Sequence, residues 1–107
     1  MKSKVEFLLP SGGYPISITQ HLNRKFVLDN KYCLWWSEKD KFDVWYGDNS
    51  DADYSIDSAG YWMIKTDDVL TQIVSMYGNL YILGNSSLYV FSGNCNNNFA
   101  LIKLYGE

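Results

Sequence analysis

The feature that most constrains this chain is a series of short apolar runs in its last third, separated by turn-forming residues. The runs occupy residues 72–77, 80–84, 88–92 and 99–105, with Gly, Asn and Ser between them. Such spacing is typical of an antiparallel meander, because short gaps rich in these residues form tight hairpin loops. Residues 72–105 are therefore predicted to form four consecutive strands. Gly78 and Asn79 are predicted to form a two-residue type II′ turn.

The first two-thirds of the chain also contains short apolar runs separated by turn-forming residues, but less regularly. Further strands are predicted at residues 5–9, 16–20, 25–28, 32–36, 42–46, 54–56 and 61–65. The only partial helical spacing begins at residue 67 and soon meets β-branched residues, so it predicts at most one helical turn. Frequent turn signals are typical of a sandwich, barrel or propeller-like assembly. We predict a single all-β domain over residues 1–107, built of antiparallel meanders that are blade-like or form a sandwich.

The two middle strands of the meander are apolar at nearly every position rather than at alternate positions. They span residues 80–83 and 88–91. A sheet with one face in water shows alternation, whereas a strand buried on both faces does not. We therefore expect both faces of this sheet to be covered. The second cover is either another sheet of the same chain or a partner.

The same segment carries a resemblance to a known family of repeats. Residues 77–84, YGNLYILG, followed by residues 87–93, SLYVFSG, resemble one blade of a β-propeller. More narrowly, residues 72–105 are similar to the propeller-like repeats of tail-hub, nozzle and DNA-stabilisation proteins in tailed bacteriophages. The resemblance implies a blade-like fold in a virion component. Because a propeller has about four to eight four-stranded blades, it also implies either part of a larger propeller or a chain that completes its sheets with neighbouring subunits.

Aromatic residues make up 17% of the chain, which favours strands, and several of them are candidates for binding. The candidate binding or interface set is Trp35, Trp36, Trp45, Tyr46, Tyr61 and Trp62. Trp35 and Trp36 are adjacent in a predicted strand, so their side chains must point to opposite faces. We predict that the set lies in the core or at a subunit interface. The alternative is a stacking platform for sugar rings.

Groups suited to catalysis or metal binding are few. His21 is the only histidine, which excludes a multi-histidine metal site, and we expect it at a turn or strand end. Asp48, Asp51 and Asp53 supply the oxygen ligands that Ca²⁺ prefers. Their spacing misses the calcium-loop frame, so a solvated loop is the expectation. No phosphate-binding glycine loop or nucleophile-elbow motif is present. We expect no catalytic residue, no metal and no cofactor.

Charge and cysteine spacing narrow the functional classes further. The chain has 12 acidic and 9 basic residues without a basic cluster, so nucleic-acid binding is not expected as its main role. The N-terminal apolar patch is interrupted by Glu6 and Pro10, too soon for a signal peptide or a membrane span. Cys33 and Cys95 lack metal or redox spacing and are expected to be reduced thiols.

The leading hypothesis is a non-enzymatic structural or assembly protein that works through protein–protein contacts in a homo- or hetero-oligomer. With the resemblance, it becomes a virion component of the phage tail or neck, assembled in the host cytoplasm. The alternative location is the cytoplasm. The alternative function is a carbohydrate- or ligand-binding β module that uses the Trp/Tyr set.

Overall fold

A computed structural model describes residues 13–43 and 59–106, and these parts of the chain form eight strands and no helix. The strands are β1 (Pro15–His21), β2 (Arg24–Asp29), β3 (Cys33–Trp36), β4 (Gly60–Met63), β5 (Leu70–Met76), β6 (Asn79–Gly84), β7 (Leu88–Ser92) and β8 (Ala100–Tyr105). They form two antiparallel sheets in the orders β1-β2-β3-β4 and β5-β6-β7-β8. The predicted all-β class is confirmed. The strands predicted at residues 5–9 and 54–56, and most of 42–46, lie outside the described residues.

The second sheet contains the four consecutive strands predicted for residues 72–105, but its first turn differs from the prediction. Met76 pairs with Asn79, so the loop residues are Tyr77 and Gly78. Their φ angles are 52° and 80°. Two positive φ angles belong to a type I′ turn, whose twist matches that of the flanking strands. The predicted type II′ turn is wrong, because Asn79 is already the first residue of β6.

The segment with partial helical spacing forms a bend ahead of β5. The carboxylate of Asp68 accepts hydrogen bonds from the backbone N–H of Ser86 at 2.8 Å and from the hydroxyl of Ser87 at 2.5 Å. These hydrogen bonds, that from Ser87 first, hold the pKa of the Asp68 carboxyl below its usual value. A residue with the chemistry of a helix cap therefore fixes the β6–β7 turn instead.

The β1–β2 hairpin of the first sheet repeats the β5–β6 hairpin of the second. In both hairpins, a strand of seven residues precedes one of six. The β1–β2 turn is Leu22-Asn23, again with two positive φ angles, 53° and 60°. Both hairpins also shift register at the end away from the turn. Positions counted from the turns therefore correspond one to one, so Ile18 is equivalent to Ile73.

The two sheets pack face to face around one core. Its buried residues are Phe26, Leu28, Leu34, Trp36, Ile64, Leu70, Ile73, Leu80, Ile82, Tyr89 and Phe91. At one side β1 lies against β5, and the backbone N–H of Ile73 donates to the hydroxyl of Ser17 at 3.0 Å. Farther from β1, the rings of Trp36, Phe91 and Phe99 fill the space, with centroids 4.8–5.3 Å apart. Each sheet thus has an inner face in this core and an outer face turned away from it.

Candidate interaction surface

The outer face of the second sheet carries a row of four apolar residues, one from each strand. Val74 pairs with Tyr81, Tyr81 pairs with Val90, and Val90 pairs with Ile102. Successive residues of a strand point to opposite faces, so these four side chains stand together on the face away from the core. Ile102, at the end of the row, is 49% exposed, Val74 and Tyr81 are partly buried, and Val90 is buried, with 7% exposed.

A second row runs beside the first and extends the apolar surface. It pairs Gln72 with Leu83, Leu83 with Leu88, and Leu88 with Tyr105. We define the outer apolar face as Val74, Tyr81, Leu83, Leu88, Val90, Ile102 and Tyr105. None of these residues is charged. Exposed apolar surface marks an interaction site, and the exposed part of this face is formed by Ile102 and Tyr105 of β8. The first sheet covers the inner face of these strands. The outer apolar face is the face for which the sequence predicts a second covering layer.

The outer apolar face ends at β8, which pairs only with β7 in the described part of the chain. Leu104 and Tyr105 on this strand are exposed. Its only charged residue is Lys103, whose ammonium lies 5.9 Å from the ring centroid of Tyr89. Edge strands are usually protected by several charges, by proline or by a covering segment. The β8 edge has one charge and no proline.

Two members of the candidate aromatic set lie in or against the core, which is one of the two places predicted for the set. Trp36 is buried between the sheets, and its indole N–H donates to the side-chain oxygen of Asn96 at 2.9 Å. Trp62 is partly buried against the same core. Trp36 is therefore closed to a stacking ligand, and Trp62 is only partly exposed. Trp45 and Tyr46 lie outside the described residues.

The other two described members of the set lie together on the outer face of the first sheet. Trp35 is buried with Val27 and Cys33 in a small cluster, on the opposite side from Trp36, as adjacency in a strand predicts. Tyr61 is exposed, and its ring centroid lies 5.0 Å from that of Trp35. The pair presents one accessible ring, that of Tyr61.

Asp29 organises this side of the first sheet, a role that no sequence signal indicated. Its carboxylate accepts from the indole N–H of Trp35 at 3.0 Å and from the backbone N–H of Cys33 at 2.8 Å. Burial, aided by the charge of Asp29, raises the pKa of the Cys33 thiol to about 12. The thiol is therefore protonated and unreactive at neutral pH. Cys33 and Cys95 are not bonded to each other.

His21 is the last residue of β1, at a strand end as expected, and it contacts the second sheet. Its Nδ1 lies 2.7 Å from the hydroxyl oxygen of Ser75 on β5. Its Nε2 is buried and has no hydrogen-bond partner among the described residues. A histidine that activates a serine is normally oriented by a third group on its other nitrogen. The described residues supply no such group, and the contact joins β1 of the first sheet to β5 of the second.

Within residues 13–43 and 59–106, no three His, Cys, Asp or Glu side chains lie close enough together to hold a metal ion. Asp48, Asp51 and Asp53, considered for calcium, lie outside the described residues. The same described ranges contain no helix long and apolar enough to span a membrane. No family model, curated protein or solved structure matches this chain.

Proposed function

We propose that this chain is a non-enzymatic structural or assembly protein that acts through protein–protein contacts made by the outer apolar face. The observation that carries the proposal is the uncharged row from Val74 to Ile102, which crosses all four strands of the second sheet. Aromatic residues are enriched and charges depleted at the centre of protein interfaces, which is the chemistry of this face. Covering it is favourable by about 25 cal/mol for each Å² of apolar surface removed from water.

We further propose that the setting is a phage virion, as part of its tail or neck. The support is the similarity of residues 72–105 to repeats of tail-hub, nozzle and DNA-stabilisation proteins. Strands β6 and β7, which carry that similarity, also carry Tyr81, Leu83, Leu88 and Val90 of the outer apolar face. In a virion, a poorly protected sheet becomes a means of assembly instead of a liability.

The binding-module alternative has less support among the described residues. A sugar platform needs exposed ring faces, and of the four described members of the aromatic set only Tyr61 is exposed. Titration of intrinsic tryptophan fluorescence with a glycan panel tests this alternative. A saturable response, lost in Tyr61→Ala, would favour the binding module over the assembly protein.

The assembly proposal is tested by co-expressing the tagged chain with the products of the genes that flank its own. We expect a stoichiometric complex, either with one of those products or with further copies of the chain. Ile102→Glu should abolish it, because a buried unpaired carboxylate is costly. Phe42→Glu is the matched control, since Phe42 is an exposed aromatic residue, 38% accessible, that belongs to neither sheet. A chain that forms neither kind of complex would exclude an assembly role.

A further inference from the structure

The last strand, β8, is open to water along its second half. Ile102, Leu104 and Tyr105 are 49, 54 and 72% exposed, and Lys103 is exposed as well. Successive residues of a strand point to opposite faces, so the exposure of four residues in a row leaves both faces of this part of the strand accessible. The accessible feature is therefore the edge of the second sheet rather than one of its faces.

The β8 edge differs from the other edge of the same sheet, which is β5. Along β5, the backbone N–H of Ile73 donates to Ser17 of β1, and the hydroxyl of Ser75 contacts His21 of β1. β8, in contrast, has no neighbouring strand beyond β7 among the described residues. The outer backbone groups of an edge strand pair with another extended strand. The partner that fits β8 is therefore a strand.

The residues of β8 favour one way of pairing two copies of this strand. In an antiparallel pair about a two-fold axis perpendicular to the sheet, one residue lies opposite itself, and directly opposite side chains share a face. Lys103 at the axis would set two positive charges against each other, which is destabilising. The pairing of β8 with β7 skips Leu104, so the regular part of the strand ends before it. Ile102 is the exposed residue of the regular part that can lie at the axis.

Pairing at Ile102 also joins the apolar rows of the two copies. The uncharged row from Val74 to Ile102 crosses the four strands of one copy and would continue from Ile102 across the four strands of the other. In this register, Lys103 of each copy lies opposite Leu101 of the other, so the single charge of β8 does not meet its own copy. The strand is therefore complementary to itself in charge and in the position of its apolar residues.

We propose that two copies of this chain form a dimer by antiparallel pairing of their β8 strands about a two-fold axis at Ile102. This rests on the proposed assembly function and names the partner as a second copy of the chain. A two-fold contact uses the same surface on both copies, so it occupies both β8 edges and closes at the dimer. The two second sheets become one continuous sheet, and their outer apolar faces lie side by side.

Opposite charges placed at the axis test the pairing. Ile102→Glu and Ile102→Lys each set like charges against each other, whereas an equimolar mixture sets a carboxylate against an ammonium. In light scattering with chromatography, the wild type should have twice the 12.3 kDa chain mass. Each variant alone should have the mass of one chain, and the mixture should regain twice that mass. Circular dichroism checks that the variants fold, and Phe42→Glu should dimerise like the wild type.

A cysteine at the axis tests the register. Directly opposite residues of an antiparallel pair have Cα atoms about 4.5–5.5 Å apart, within the range that a disulfide spans. In a Cys95→Ser background, where Cys33 is buried, Ile102→Cys should form a covalent dimer on mild oxidation. Leu104→Cys is the matched control because its exposure is similar. The two copies of residue 104 lie four positions apart along the paired strands, roughly 13 Å, so it should not cross-link.

Amide hydrogen exchange distinguishes pairing of edges from packing of faces. Strand pairing should slow the exchange of the β8 amides that point away from β7 when the concentration is raised from monomer to dimer. A dimer in which these amides exchange as fast as in the monomer joins the two outer apolar faces instead and contradicts the proposal.

Three other results exclude the pairing. They are a mixture of the two charge variants that stays monomeric, equal cross-linking of Ile102→Cys and Leu104→Cys, and a wild type that is monomeric at every concentration. In the last case, a complex with a flanking gene product that Ile102→Glu abolishes would keep the assembly function and reject only self-pairing.

Discussion

The first sheet buries Phe26 and exposes Ile18, whereas the second buries Ile73 and turns Tyr81 outward, although these residues occupy equivalent places in two matching hairpins. Strand length, turn type and register are common to the two hairpins. What differs is which face meets the other sheet. Backbone pairing and tight turns therefore define the meander, and contact between sheets decides which of its faces becomes core.

The largest expected contrast is between the two faces of the second sheet. Phe91→Ala should lower the free energy of unfolding by about 3–5 kcal/mol, because Phe91 is fully buried among aromatic rings. Ile102→Ala on the outer apolar face should lower it by less than about 1 kcal/mol. Urea denaturation at protein concentrations that keep the chain monomeric measures both values. Similar losses for the two variants would show that the outer apolar face is already buried within the monomer.

The second contrast concerns the residue opposite Trp36 in the first sheet. Gly60 pairs with Trp36, and a β-carbon added to Gly60 would lie 2.8 Å from the indole ring. Gly60→Ala should therefore cost about 1–3 kcal/mol by overpacking. The matching position of the second sheet is Ile102, opposite Val90 on the outer apolar face. A double-mutant cycle with Trp36→Phe measures the coupling, and a cost for Gly60→Ala that is unchanged by Trp36→Phe would contradict the steric explanation.

The second sheet was predicted well because its signals are local. Short apolar runs and Gly/Asn gaps located all four strands, and residues apolar on both faces of β6 and β7 indicated a second covering layer. The turn was misplaced by one residue, because the sequence tyrosine-glycine-asparagine allows two adjacent loops and Tyr77 is a poor residue for positive φ. Only the strand register distinguishes them.

The repeat and the candidate surface could not be predicted in the same way. The hairpins correspond in turn type and hydrogen-bond register, whereas their equivalent side chains differ, as with Lys25 in the first sheet and its equivalent Leu80 in the second. An apolar pattern also does not indicate which face of a sheet is covered by the rest of the chain. Residue type alone did not separate core from interface within the aromatic set, and Trp36 is in the core because Phe91 and Phe99 pack against it.

A third prediction compares the two turns. Tyr77 has a φ of 52°, a conformation that is unfavourable for residues with a bulky side chain. Tyr77→Asn creates the Asn-Gly pair preferred in type I′ turns and should raise the free energy of unfolding by roughly 0.5–1 kcal/mol. Leu22→Asn is the matched change in the other turn, and its gain should be smaller because Leu22 is partly buried. Thermal melts of both variants test the order, and a loss of stability in Tyr77→Asn would mean that the exposed ring makes a stabilising contact.

The smallest expected effect is on the pH dependence of stability. It concerns the residue that precedes each turn, which is His21 in the first hairpin and Met76 in the second. His21 is buried, and Met76 is about half exposed. Burial lowers the pKa of His21 below its usual 6.5, because a charged ring would lose its hydration. A charged ring would also carry a proton on Nε2, and this N–H would have no acceptor among the described residues. As the pH falls below 6.5, the unfolded chain binds a proton that the folded chain does not bind, so stability must decrease with falling pH.

The matched variant for this effect is His21→Met, which gives the first hairpin the residue found at the equivalent place in the second. We expect the wild type to lose more stability than His21→Met when the pH is lowered from above to below 6.5. The measurement is chemical denaturation at several pH values above 3.8. Because the pKa of Asp68 is lowered from 3.8 in the folded state, its carboxylate contributes its full stabilisation in this range, equally in both proteins. His21→Met removes the hydrogen bond to Ser75 at every pH, which lowers its stability by a constant amount and leaves the slope to report the titration alone. Identical slopes would mean that His21 accepts a proton in the folded state and that the contact between β1 and β5 opens readily to water.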